Sequence, residues 1–130
     1  MSNSHRKKIL LIEDEKTLCF AFKKMLPTNR FIFLEANNGE EGLHIALQEF
    51  PDLIFLDLLM PVMDGETMLK LLRADSWGKD VPVIILSNLY PTDKTVLIDV
   101  ATQHSLRYLI KSDLTILSIL KEIDAVLATN

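Results

Sequence analysis

The sequence predicts an α/β fold, a doubly wound parallel sheet with helices on both faces, and three observations carry that prediction. Short apolar runs alternate with longer amphipathic stretches five times, the pattern of successive βα units. Two of the runs, Leu53-Ile54-Phe55-Leu56 and Val83-Ile84-Ile85-Leu86, are apolar without alternation. Strands covered on both faces read this way, so these two belong at the centre of the sheet. All five prolines fall outside the helical stretches, where a ring lacking an N–H would break the ladder.

The elements follow in chain order. The first strand, Lys8 to Ile12, is built on Ile9-Leu10-Leu11-Ile12, and the first helix, about 15 to 26, ends before Pro27. Phe31 to Ala36 is the second strand, and the second helix, about 39 to 50, stops at Pro51. Leu53 to Asp57 is the third strand, and Pro61 lies in the loop before a helix at about 66 to 74. Trp77, beside Gly78, anchors the next loop by packing, and Pro82 leads into the strand Val83 to Ser87. Pro91 precedes a fourth helix at about 92 to 104, and Arg107 to Ile110 is the fifth strand. The last helix, about 113 to 127, takes Ser112 or Asp113 as N-cap. Its Leu114, Ile116, Leu117, Ile119, Leu120, Ile123, Val126 and Leu127 make an apolar surface wider than one stripe, mostly for core packing.

Composition narrows the function. The 130 residues, 48% hydrophobic and 25% charged, suit one ordinary domain, expected at 8–128 behind a flexible start at 1–7. Lys plus Arg total 14 against 18 Asp plus Glu, a net charge of −4 that disfavours direct DNA binding. No apolar run approaches the ~18 residues of a membrane helix, and the first strand is too short for a signal-peptide core, so a cytoplasmic protein is expected. Cys19 has no second cysteine for a disulfide and reads as a core or boundary residue. His44 and His104 lack visible ligand partners, and His5 belongs to the basic start.

In an open doubly wound sheet the site lies beyond the carboxyl ends of the strands. There the first strand ends in Glu13-Asp14-Glu15, the third in Asp57, the fourth in Ser87, and Lys111 follows the fifth. Carboxylates converging on one cleft repel at roughly 4 kcal/mol per pair for 4 Å separation and an effective dielectric constant near 20. A divalent cation with oxygen ligands offsets that, and two carboxylates with retained waters suit Mg²⁺. Singly, Glu13 and Asp14 could be helix caps, Ser87 a turn former and Lys111 a solvated lysine. Asp57 resists such a reading, because it ends a buried run where an unpaired carboxylate is costly.

These residues give the chain a close resemblance to the receiver domain of two-component response regulators, over nearly its whole length. The segment from Pro51 to Gly65, PDLIFLDLLMPVMDG, is similar to the family's third strand, phosphorylation site and following loop. Glu13 and Asp14 match its acidic pair, Ser87 its hydroxyl residue, Tyr108 its switch aromatic and Lys111 its lysine. The resemblance implies a flavodoxin-like three-layer sandwich with strand order 2-1-3-4-5. It implies phosphoryl transfer from a phosphohistidine of a sensor histidine kinase or phosphotransfer protein to Asp57. It further implies Mg²⁺ held by Glu13, Asp14, Asp57 and the Leu59 carbonyl, Lys111 paired with the phosphoryl oxygens, and Ser87 donating to them. Tyr108 would then turn inward and remodel the surface of the fourth helix, fifth strand and last helix for a downstream protein target. No membrane partner is implied, and a phosphorylation-dependent homodimer stays open beside the monomer.

Some positions depart from the family pattern. Asn88 stands where a smaller residue is usual after the hydroxyl residue, and Gln103-His104-Ser105 replace a glycine-bearing connection. Ser112 replaces the proline that follows the lysine, so a trans Lys111–Ser112 peptide is expected, since cis without proline costs ~2.5–4 kcal/mol. Leu59 and Leu89 are apolar where polar groups often stand near the attacking water, which predicts slow self-dephosphorylation. The alternative is a degenerate receiver, a protein-interaction module independent of phosphorylation. A dehalogenase-type phosphohydrolase would need an aspartate where Leu59 stands, and no glycine-rich nucleotide loop is present. A stand-alone receiver acting through protein partners is therefore expected.

Overall fold

A computed structural model describes residues 6–88 and 106–127. The described elements are β1 (Lys7–Ile12), α1 (Lys16–Met25), β2 (Phe31–Ala36), α2 (Gly39–Glu49), β3 (Leu53–Asp57), α3 (Gly65–Ala74), β4 (Val83–Ser87), β5 (Arg107–Ile110) and α4 (Ile116–Leu127). The helix predicted at 92 to 104, with Leu89, His104 and the Gln103-His104-Ser105 connection, lies outside the described residues, as does His5.

The strands form one five-stranded sheet in the order β2-β1-β3-β4-β5, the order implied by the resemblance. Every pair is parallel, and the register sets Asp57 opposite Leu86 and Ser87 opposite Ile110. Side chains alternate across the sheet as the pleat requires. On one face Leu10, Ile12, Ile54, Leu56 and Ile85 pack under α2 and α3, with Met68, Leu69 and Leu72. On the other, Ile9, Leu11, Phe55, Ile84 and Leu86 meet Phe22 of α1 and Ile119 and Ile123 of α4. Phe22 and Phe55 meet edge to face with centroids 5.2 Å apart. Each such side chain withdrawn from water contributes roughly 1.5–3 kcal/mol, which makes this two-sided packing the main source of the fold. The two runs read as central strands are buried at every position, and β1 is interior with them.

Caps fix where helices begin. Asn38 Oδ1 accepts from the Glu41 amide at 2.9 Å to start α2, and Asp64 Oδ1 accepts from the Thr67 amide at 2.8 Å to start α3. Trp77 packs as expected, its ring edge-on to Phe50 at 5.2 Å. Cys19 is buried in α1 and donates to the Glu13 carbonyl. His44 is exposed on α2.

Several edges differ from the sequence reading by a residue or more, and two of them have a visible cause. β1 starts one residue early because the Lys7 amide already donates to Arg30 O at 3.1 Å. The last helix starts late, at Ile116, after a single 3-10 turn over Lys111–Asp113. Neither Ser112 nor Asp113 caps it; Thr115 Oγ1 accepts from the Ser118 amide while Ser118 Oγ accepts from the Thr115 amide. This reciprocal pair is the physical reason for the shift, since it satisfies the Thr115 and Ser118 amides at the start of a helix capped by Thr115. The Lys111–Ser112 peptide is trans.

Candidate functional site

Four chain segments bring the predicted residues to one end of the sheet. Glu13 follows β1, its amide held by Ala36 O at 2.9 Å, and its side chain is completely buried. Asp57 closes β3 and is 4% exposed. The α3 start presses against it: a Cβ on Gly65 would lie 2.2 Å from Asp57 O and 2.7 Å from Leu58 Cα, so glycine is required by the close approach. Asp14 is exposed at the rim, and one ligand oxygen from each of Glu13, Asp14 and Asp57 falls within 4.8 Å of the others.

Lys111 enters from the end of β5, its side chain 9% exposed. Its ammonium donates to Glu13 Oε2 at 2.9 Å, Glu15 Oε2 at 3.0 Å and Asp57 Oδ2 at 3.3 Å. The Leu59 amide donates to Asp57 Oδ1 at 3.2 Å, and the Glu15 amide to Glu13 Oε2 at 3.0 Å. Burial pushes the Glu13 carboxyl up to about 7, although the Lys111 ammonium and the Glu15 amide pull the other way. Asp57 is raised too, by burial, against the opposing pull of Lys111 and the Leu59 amide. Burial works against the Lys111 charge, but its hydrogen bonds to Glu13 and Glu15, with the Asp57 charge, outweigh it and raise its pKa.

Ser87 ends β4, buried, one position beyond the residue paired with Asp57. Tyr108 stands apart on β5, 38% exposed and level with Ile85. Leu59 is 72% exposed over the loop that follows Asp57. The sequence reading gives Glu15 no role, and nothing local signals one, because its contact with Lys111 spans 96 residues. It also gives no hint of Val62, which has φ 71° as the centre of a γ-turn closed by Met63 N to Pro61 O at 2.8 Å.

The donor set fits a hard divalent cation. Three carboxylates face one ammonium, and Glu13 Oε1, though 2.8 Å from Lys111 Nζ, receives no hydrogen bond among the described residues. Clustered oxygen ligands with surplus negative charge are the surroundings Mg²⁺ takes.

The family model described as the response regulator receiver domain matches residues 9–120. The chain belongs to the response regulator receiver domain family. The match carries with it an acidic pocket and a signalling role, since receiver domains bind Mg²⁺ in such a pocket and interact with histidine kinases and downstream targets. Among curated relatives, the probable transcriptional regulator ycf27 of Guillardia theta is 34% identical over 84 residues, 65% of this chain and 32% of that protein. The chain spans about a third of the length of the ycf27 relatives it matches. Among solved structures, the Francisella response regulator 1452 receiver domain is 29% identical, covers 93% of this chain and 96% of that one, and superposes with a TM-score of 0.79. The receiver domain of the sensor histidine kinase PA1611 from Pseudomonas aeruginosa PAO1 shares the fold at 22% identity and a TM-score of 0.82, over 95% of this chain and 98% of that one. That structure holds a magnesium ion coordinated in its active site cleft. No helix among the described residues of this receiver domain is long and apolar enough to cross a membrane.

Proposed function

We propose that this receiver domain accepts a phosphoryl group on Asp57 from the phosphohistidine of a sensor histidine kinase or phosphotransfer protein, and that the modified chain engages a downstream protein target. The observation that carries the reading is Asp57 itself, a buried carboxylate ending the central strand, 3.3 Å from Lys111 and clustered with Glu13 and Asp14. One Asp57 oxygen bonds to phosphorus as the phosphorus–nitrogen bond of the donor breaks and its electron pair leaves with the imidazole. The product is an acyl phosphate. Glu13, Asp14, Asp57 and the Leu59 carbonyl would hold Mg²⁺, which when bound supplies positive charge against the crowded carboxylate and phosphoryl oxygens.

The remaining work falls to this chain's own groups. Lys111 follows the phosphoryl oxygens onto Asp57 and keeps them oriented by charge-assisted hydrogen bonds. Ser87 donates its hydroxyl to a phosphoryl oxygen, and Tyr108 turns inward from its exposed place on β5, carrying the change to the β5 and α4 surface. An added charge of about −1.5 to −2 is large enough to bias such a two-state element. Leu59 screens the acyl phosphate from attacking water, so phospho-Asp57 decays more slowly in wild type than in Leu59→Asn. The setting is cytoplasmic, and the net charge of −4 argues for protein partners over DNA.

The test is intact mass after incubation with Mg²⁺ and acetyl phosphate. A phosphoryl adduct in wild type, missing from Asp57→Asn and from a metal-free control, is expected. Failure with acetyl phosphate and with a phosphorylated kinase would return the chain to the interaction-module reading.

A further inference from the structure

We infer that Glu15 is a resting-state clamp on Lys111, which an incoming phosphoryl group must displace, and that its charge sets the preference among phosphodonors. This rests on Asp57 being the phosphoacceptor. A lysine ammonium has three N–H donors, and here each has an acceptor, in Glu13 Oε2, Glu15 Oε2 and Asp57 Oδ2. A phosphoryl oxygen arriving at Asp57 therefore takes a donor from one of them. Glu13 and Asp57 lie in the buried floor, where a carboxylate that loses its partner is costly. The Glu15 side chain is 49% exposed, so water takes over its hydrogen bond and it is the partner that gives way.

The local backbone holds Glu15 for this contact. Its amide is bound to Glu13 Oε2 and its carbonyl accepts from the Leu18 and Cys19 amides. It occupies the N-cap position of α1, yet its side chain makes no capping hydrogen bond and reaches across to β5 instead. Glu15, Lys111, Asn88 and Ser112 line an open cavity of about 310 Å³ that extends along α1 past Thr17, Leu18 and Ala21. A donor approaching Asp57 meets the clamp in two ways. The carboxylate competes for Lys111, and its negative charge repels the donor's phosphoryl group, more strongly the more charge the donor carries.

The test compares wild type with Glu15→Gln, a near-isosteric neutral change, by the rate of adduct formation at Asp57 in Mg²⁺ buffer. Acetyl phosphate, mainly a dianion, and phosphoramidate, with less negative charge, serve as probes. Glu15→Gln is expected to react about 5- to 10-fold faster with acetyl phosphate, with at most half that gain for phosphoramidate. Raising salt from about 0.05 M to about 0.5 M shrinks the acetyl phosphate gain, because the Glu15 side chain is open to screening ions. Unchanged or slower reaction in Glu15→Gln overturns the clamp and leaves Asp57 as acceptor. An equal gain with both donors, indifferent to salt, marks mere loosening of the loop and overturns it as well. No adduct in either protein with either donor overturns the clamp as the control on small phosphodonors, while Asp57 as acceptor falls only if a phosphorylated kinase fails as well.

Discussion

Strands β3 and β5 belong to one sheet and deliver the two groups that meet at the site, but from opposite surroundings. Every residue of β3 is buried, whereas Arg107 and Tyr108 of β5 are exposed and Leu109 and Ile110 only half-buried. The carboxylate of Asp57 is thus fixed by the densest part of the core, while Lys111 hangs from a sheet edge. The difference teaches that the carboxylate's position is a property of the fold as a whole, and the ammonium's position a property of local pairing. A change confined to β5 would leave the Asp57 carboxylate in place.

Four measurements break or sharpen that contrast. The largest effect is expected from truncation of the core strand: Phe55→Ala loses ~3–5 kcal/mol in urea unfolding. The matching edge change, Leu109→Ala, loses about 1–2 kcal/mol, since less of the side chain leaves water on folding. Equal costs would break the contrast. Gly65→Ala comes next, at ~1–3 kcal/mol, because the new Cβ meets the Asp57 carbonyl and the strand end must shift. Its sharper signature is slower adduct formation on Asp57, which Leu109→Ala leaves much less affected.

The third effect concerns the cap of α3. The Thr67 amide, hydrogen-bonded to the Asp64 carboxylate, holds the carboxyl below its ordinary range. A depressed folded pKa stabilises above the unfolded value and loses that contribution as pH falls through the folded one. Asp64→Ala should therefore cost ~1 kcal/mol at neutral pH, with the gap to wild type closing in acid below about pH 4. A gap that persists in acid would point to packing instead of the charged cap. The smallest effect is a gain. Val62 is β-branched at φ 71°, so Val62→Gly relieves backbone strain and should stabilise by ~0.5–1 kcal/mol, net of glycine's larger unfolded-state entropy. No gain in the urea midpoint would show that the loop carries the turn without strain.

Most of the sheet is legible in the sequence because its signals are local. β2, β3, β4 and β5 have the predicted bounds, and for β3 and β4 the unbroken apolar run after a proline marks a buried strand without reference to distant residues. Glu13, Asp14, Asp57 and Lys111 were legible by a topological rule, that strand ends share one edge, and the structure brings them together. The late start of α4 was missed because Ser112, Asp113 and Thr115 are all acceptable caps, and the hydrogen bonds to Ser118 decide among them. Glu15 was missed for a different reason. Its role depends on where one long side chain turns, and its partner lies beyond four strands in sequence.

The contact between Glu13 and Lys111 joins residues 98 apart in the chain. During synthesis, β1 and β3 emerge and can pair long before Lys111 leaves the ribosome, so the acidic residues meet first with no fixed cation among them. Long-range parallel pairing is slow, and here it must be completed by an edge strand of four residues. Until β5 docks, the nascent chain carries a crowded, unbalanced group of carboxylates at the end of a core that still lacks β5 and α4. Docking of β5 thus finishes the sheet and brings the Lys111 ammonium to the carboxylates in one event.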